Sequence, residues 1–263
     1  MEEANYKLGR TKRGFDARIP HYSALIAGQK LPIFPAAHDW SAGMPGQLGM
    51  MLNDTLGDCT CAAVYHARQV WSFNNGSMVT EPDGDVELLY ERACGYKPRQ
   101  GGEGPGGNEQ KVLGYLLKKG APVGPKGAAV DKISAFVEMD PRNLEDVKRG
   151  IFACGLAYIG FNVPKYLVPQ PGGTWPSVWT IEPRGDSTSV GGHAVILVGY
   201  DAEGAKLVSW GSYYRMTWDF FAAFVDEVYA IADDEWFKGH AADPLGQTLP
   251  QLVALMKALK EGR

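Results

Sequence analysis

The most regular apolar stretch in the chain is "CTCAAVYHARQVWSFN", Cys59 to about Asn74. Apolar residues at 59, 62, 63, 70 and 71, with no Gly or Pro, predict a helix buried on most sides. Asp58 stands where the N-cap of that helix belongs. "DGDVELLYERACGY" (83–96) predicts a shorter helix, and "NEQKVLGYLLKKG" (108–120) another, closed by Gly120 with Lys118 and Lys119 placed against its dipole. "NLEDVKRGIFACG" (143–155) predicts a fourth. The pattern then changes: "LAYIGFNV", "HAVILVGYD" and "AKLVSWGS" are β-rich, the last two joined hairpin-fashion by Ala-Glu-Gly. An amphipathic helix closes the chain at about 246–261, with Leu249, Leu252, Leu255, Met256 and Leu259 on one side.

Between these runs the chain is punctuated. Residues 1 to about 36, with Pro20, Pro32 and Pro35, read as an extended arm wrapped over a body, and 38–58 and "KPRQGGEGPGG" read as loop. Helices thus dominate the first half (about 50–140) and an antiparallel sheet the second (about 150–235), within one domain spanning 37–263. The class is α+β, and a cleft between a helical and a sheet lobe is a natural ligand site. No internal repeat is evident.

Composition narrows the function. The 263 residues are 45% hydrophobic and 21% charged, enough for one sizeable core. A formal net charge of -4 gives no electrostatic reason to expect nucleic acid or an anionic membrane as partner. No apolar run of membrane-spanning length and no secretory signal is visible, which points to a cytoplasmic protein, or a virion-associated one if phage-encoded. Cys59, Cys61, Cys94 and Cys154 are too few for a disulfide scaffold and form no C-x-x-C pair, so neither a metal nor another cofactor is implied.

Candidate chemistry starts at "NDTLGDCTCAA" (53–63), where a turn hands over to a helix. Cys59 in the first helical turn would sit among unpaired amides at the positive end of the dipole, which favours a thiolate. Among the histidines, His21 and His38 lie in the arm and following loop, His66 shares the helix of Cys59, and His240 lies in a polar segment. His193 differs, because "GGHAVILVGYD" sets it at the mouth of a strand, after two glycines. A helix-terminal Cys and a strand-mouth His from opposite lobes can form a thiolate–imidazolium pair across a groove. Each also has an ordinary reading, as a buried small hydrophobe and a structural histidine.

Taken in order, these strings resemble papain-like cysteine proteases, as a divergent member for which a phage or bacterial source is one reading. "FPAAHDWSAG" is similar to the segment opening the mature enzymes, with Trp40 19 residues before Cys59. "NDTLGDC" is similar to the oxyanion and nucleophile segment, with Asn53 where the family carries Gln. "VELLYERACGY" and "GPGGNEQKVLGYLLKKGAPV" resemble the second and third helices and the Gly-Gly pair, and "GGHAVILVGYDAEGAKLVSWGS" the His strand and Ser-Trp-Gly hairpin. His193 follows Cys59 by 134 positions, within the family's interval.

The resemblance implies a two-lobe fold and hydrolysis of peptide or isopeptide bonds in a peptide or protein substrate. Cys59 would be nucleophile, His193 the proton carrier, and Asn53 an oxyanion donor. Trp210 would shield the pair, Gly106 and Gly107 would line the groove and pair with substrate backbone, and Asp58 would stand beside the nucleophile with its oxygens occupied by backbone amides. The family's first disulfide cysteine is missing, which leaves Cys94 unpaired. The orienting Asn of the family falls on Val208, which cannot hydrogen-bond through its side chain, and Ser209 beside it is expected on the opposite face of the strand. Two alternatives follow. One is a weak or inactive scaffold used in binding or virion assembly through the arm or the terminal helix; the other is a CHAP- or NlpC-type peptidoglycan endopeptidase. The arm looks too short for a complete inhibitory pro-region and is expected to pack on the body.

Overall fold

The computed structural model describes residues 6–12, 14, 16, 19–26, 33–171, 173–238, 250, 253 and 254. In chain order these form α1 (Tyr22–Ile26), β1 (His38–Asp39), α2 (Cys59–Asn74), α3 (Asp83–Leu89), α4 (Glu109–Lys118), β2 (Ala121–Val123), β3 (Ala129–Asp131), β4 (Ile133–Glu138), α5 (Leu144–Cys154), β5 (Ala157–Pro164), β6 (Val178–Trp179), β7 (Ser189–Tyr200), β8 (Gly204–Ser209), β9 (Ser212–Thr217), α6 (Trp218–Phe224), β10 (Val225–Asp233) and α7 (Asp234–Lys238). The expected closing helix and its leucines lie outside the described residues, apart from Pro250, Val253 and Ala254, and so does His240.

Helices α2, α4 and α5 form where expected. Asn108 and Asn143 cap α4 and α5, accepting from the amides of Lys111 and Asp146. Helix α3 is shorter than the sequence suggested: it ends at Leu89, loosens into a π turn over Tyr90–Cys94 and stops at left-handed Gly95. At the C-terminus of α5, three indole N–H groups satisfy carbonyls of the last turn: Trp40 donates to Ile151 (2.9 Å), Trp236 to Ala153 (2.8 Å) and Trp71 to Cys154 (2.8 Å). Three distant segments are thereby fastened to one helix end.

The sheet runs β4-β10-β5-β7-β8-β9-β6, antiparallel except for β6 against β9, with β1 on the end of β7. Strand β4, which the hydrophobic pattern did not flag, forms one edge by pairing with β10, far away in sequence. Alternation along β7 divides the core. Ala194, Ile196 and Val198 join Val208 and the α2 residues Val70 and Trp71 on one face. Val195 and Leu197 join Leu207, Ile151 and Phe220 on the other. Helices α2, α3 and α4 make the opposite lobe, so the α+β two-lobe class read from the sequence is the one observed.

Gly155 adopts φ +80°, and a Cβ there would lie 2.9 Å from the Trp236 ring. Gly155→Ala should therefore lower unfolding stability by about 1–3 kcal/mol, from left-handed strain plus displacement of Trp236. Urea unfolding followed by tryptophan fluorescence measures this, and an unchanged midpoint would count against the role given to this helix end.

Candidate active site

Cys59 is the first residue of α2, and α2 packs on the face of β7 that carries Ala194. Backbone hydrogen bonds from Ala194 and Gly9 reach its sulfur. His193, the neighbour of Ala194, lies four residues inside β7 rather than at its mouth, opposite Phe161 of β5. Its Nε2 is 2.7 Å from Ser209 Oγ, while Nδ1 has no hydrogen-bond partner. The Trp210 ring stacks on the imidazole at 4.3 Å and 15° and belongs to a cluster with Tyr6 and Trp175.

Ser209 therefore corrects one expectation. Val208 stands opposite Ile196 and Leu207 opposite Leu197, so Val208 shares the α2 face, while 207 and 209 share the face of 193, 195 and 197. The hydroxyl, not Val208, stands behind the ring. Trp210 (φ +46°) and Gly211 (φ +67°) then turn the chain tightly into β9.

Asp58 requires a second correction. It precedes α2 but makes no side-chain cap; its φ of -103° and ψ of 16° leave the extended region from which caps reach. Burial instead pushes its carboxyl well above the usual range, which favours the uncharged form. Cys94 is also not isolated: its sulfur lies 3.9 Å from that of Cys61, both as free thiols.

The arm does more than pack on the body; it fills the cleft. Gly107 N donates to Gly9 O (2.7 Å), Thr11 N to Gly107 O (2.7 Å) and Arg10 N to Gly192 O (3.0 Å). Lys7 N donates to Asn53 O (3.0 Å). Lys7 O in turn accepts from Asn53 Nδ2 (3.3 Å) and Trp210 Nε1 (3.4 Å). The Asn53 amide is thus aimed at a carbonyl inside the cleft, carried there by the left-handed turn at Met51 and Leu52. Gly106 and Gly107 line the same groove. A Cβ on Gly106 would lie 2.2 Å from Gly9 O, and one on Gly107 2.0 Å from Thr60 Oγ1.

Seated this way, the arm dries the site. Burial pushes the Cys59 thiol up to about 12 and pulls the His193 imidazole down to about 3, so both are uncharged near neutrality. Burial of the sulfur outweighs the dipole that should favour a thiolate. The other described histidines lie elsewhere: His66 Nδ1 pairs with Gln69 (2.9 Å), His38 packs on Trp40, and His21 bridges to Glu138 on the sheet edge.

Residues that the sequence reading passed over are Gly9, Arg10, Glu109, Asp226 and Glu227, which meet in a recess of the same cleft. Their signals were faint: a Gly-Arg pair in a polar arm, a Glu two residues after the Gly-Gly, and two adjacent acids in the apolar run "FVDEVYAIA". Among the described residues, no group of three or more His, Cys, Asp or Glu is arranged to hold a metal ion, and no helix is long and apolar enough to cross a membrane.

No protein-family model matches the sequence, and no curated protein matches it. Solved structures do. The chain is similar to xylellain, a cysteine protease from Xylella fastidiosa (TM-score 0.64, 17% identity, 89% of this chain and 98% of that one). It is also similar to a digestive procathepsin L2 proteinase of Tenebrio molitor (0.60, 16%, 87% and 79%) and to a procathepsin B of Trypanosoma congolense (0.54, 14%, 88% and 88%). At these identities the likeness establishes the fold, which is the papain-like one.

A Cβ on residue 9 would lie 1.8 Å from Gly57 O, so Gly9→Ala cannot seat the arm as it stands. Iodoacetamide labelling of Cys59 at pH 8, read by peptide mass mapping, should be at least about tenfold faster in Gly9→Ala than in the unaltered chain, because the thiolate is the reactive form. Equal rates would mean that the arm does not control this sulfur.

Proposed function

We propose that the protein is a papain-like cysteine peptidase that hydrolyses peptide or isopeptide bonds and is held latent by its own N-terminal segment. One observation carries the reading: His193, whose neighbour Ala194 reaches the Cys59 sulfur through its backbone, has one imidazole nitrogen held by Ser209 and the other left without a hydrogen-bond partner. With Nε2–H donating to Ser209 Oγ, Nδ1 carries the lone pair and can take a proton from the thiol. Cys59 Sγ then bonds to the substrate carbonyl carbon. The C–N bond breaks as His193 returns the proton to the leaving amine, and water, deprotonated in turn by His193, releases the acid from the thioester. Once Lys7 O has left, one N–H of Asn53 Nδ2, the other still donating to Leu56 O (3.0 Å), can hold the developing oxyanion together with amides at the start of α2.

Latency has a physical basis here. A substrate carbonyl needs the space that Gly9 occupies, and an ion pair needs the polarity that the arm excludes. The argument for an inactive scaffold drew most on Val208, and the Ser209 hydroxyl at His193 speaks against it. A hydroxyl lacks the strength of a charged partner, so a modest turnover is consistent with this arrangement.

In the Gly9→Ala background, cleavage of an unstructured protein such as casein should appear and should vanish with Cys59→Ala. Ser209→Ala should lower kcat about 10- to 100-fold with KM nearly unchanged, and should alter the pH profile of kcat, because the ring loses the acceptor that fixes its tautomer. A folded Gly9→Ala protein whose Cys59 alkylates rapidly, yet which cleaves no peptide bond, would remove the peptidase reading.

A further inference from the structure

Arg10 follows the residue whose amide reaches the Cys59 sulfur, and its side chain enters a recess between the lobes. Nε lies 2.7 Å from Glu109 Oε1 at the start of α4, and Nη2 contacts Asp226 and Glu227 at the start of β10. Arg10, Glu109 and Glu227 are almost entirely buried. Gly160 of β5 forms the floor: a Cβ there would lie 2.0 Å from Glu109 Oε1 and 2.2 Å from Arg10 Nε, so any other residue would fill the recess.

The carboxylates are held independently of the guanidinium. Tyr229 OH donates to Glu227 Oε2 (2.8 Å) and Asn162 Nδ2 to Asp226 Oδ2 (3.0 Å), while Lys12 stands at the exposed rim, 3.6 Å from Asp226. Glu109 Oε2 is buried with no hydrogen-bond partner, so acceptor capacity remains even with Arg10 in place. Three acids around one cation are more than an arm needs in order to be anchored; burial pushes the Glu109 carboxyl up to about 8 even beside Arg10, so a cation in the recess is what favours its charged form.

We propose that this recess is an arginine-selecting substrate pocket of the cleft, in which Arg10 sits as an internal ligand. The proposal rests on the cleft being the peptidase site, and it adds the substrate class: peptides with arginine next to or near the scissile bond. Backbone pairing to Gly107 and Gly192 holds any residue, so discrimination falls to the recess. Arginine presents Nε and Nη2 to carboxylates in different directions from one rigid plane; lysine presents one point charge, and an apolar side chain supplies no cation.

The test uses the full chain carrying Gly9→Ala and Arg10→Ala, and peptides that differ at one position in arginine, citrulline, lysine or leucine. Citrulline keeps the shape of arginine and loses its charge. The arginine peptide should exceed the citrulline peptide in kcat/KM by at least about tenfold, and Glu227→Gln should shrink that ratio by a similar factor. Cleavage with no preference for arginine overturns the pocket while leaving the peptidase standing.

If no peptide is cut, the peptidase reading fails, and the pocket is still decided by binding. In the same protein with Cys59→Ala, fluorescence anisotropy should find a labelled arginine peptide bound at least about tenfold more tightly than its citrulline twin. Equal affinities overturn the proposal, and a melting curve for each variant excludes loss of fold as the cause.

Discussion

The chemistry of this cleft depends on the register of β8 against β7. Val208 opposite Ile196 and Leu207 opposite Leu197 put Ser209 on the same face as His193, and the hydroxyl falls 2.7 Å from Nε2. A slip of one residue would exchange the two, placing a valine methyl behind the imidazole and a hydroxyl in the core with Ile196 and Trp71. The same alternation directs Ala194 toward α2, where its amide reaches the Cys59 sulfur. A buried apolar face therefore fixes the polar one: a slip that lost Ser209 would also bury an unpaired hydroxyl against α2.

The arm depends on a different constraint, the absence of side chains. Gly9 lies against Gly57, Gly106 lies against Gly9, and Gly192 approaches Arg10, so backbone meets backbone across both walls of the cleft. Contacts this close permit hydrogen bonds of 2.7–3.0 Å to Gly107 and Gly192. The hydrogen bonds alone contribute modestly. What makes the seat specific is the buried guanidinium among three acids, which only this register of the arm can bring into place.

How much of this was legible in the sequence depended on how local each determinant is. Helix α2 could be bounded at Cys59 and Asn74 because an unbroken run without Gly or Pro states its own limits, and α4 and α5 carried Asn caps and terminal glycines. Cys59 and His193 were singled out through position relative to such elements. Strand β4 escaped because its partner β10 is about ninety residues away, and the partnership rather than the pattern makes it a strand. The failure of Asp58 to cap is a matter of φ and ψ, which its identity does not fix. Ser209 was assigned to the wrong face because motif order placed Val208 in the functional position, whereas the face is set by cross-strand register. The acidic recess draws on the arm, α4, β5 and β10, and each of its charges reads singly as an ordinary solvated one.

On the proposed reading, latency, ionisation and recognition are a single property of the closed cleft. The segment whose Gly9 covers the sulfur also places Arg10 among Glu109, Asp226 and Glu227, and its Lys7 carbonyl engages Asn53. While it is seated, burial keeps thiol and imidazole uncharged and the acids have their cation. Its proposed departure would let water reach the sulfur, free one N–H of Asn53 and remove the cation from the recess, all in one step. On that reading, a peptide carrying arginine would supply a new cation and a new carbonyl together, whereas one without it would supply only the carbonyl. If the proposed reading holds, opening of the arm creates the demand that an arginine peptide meets, and a single displacement would release the nucleophile and select what it attacks.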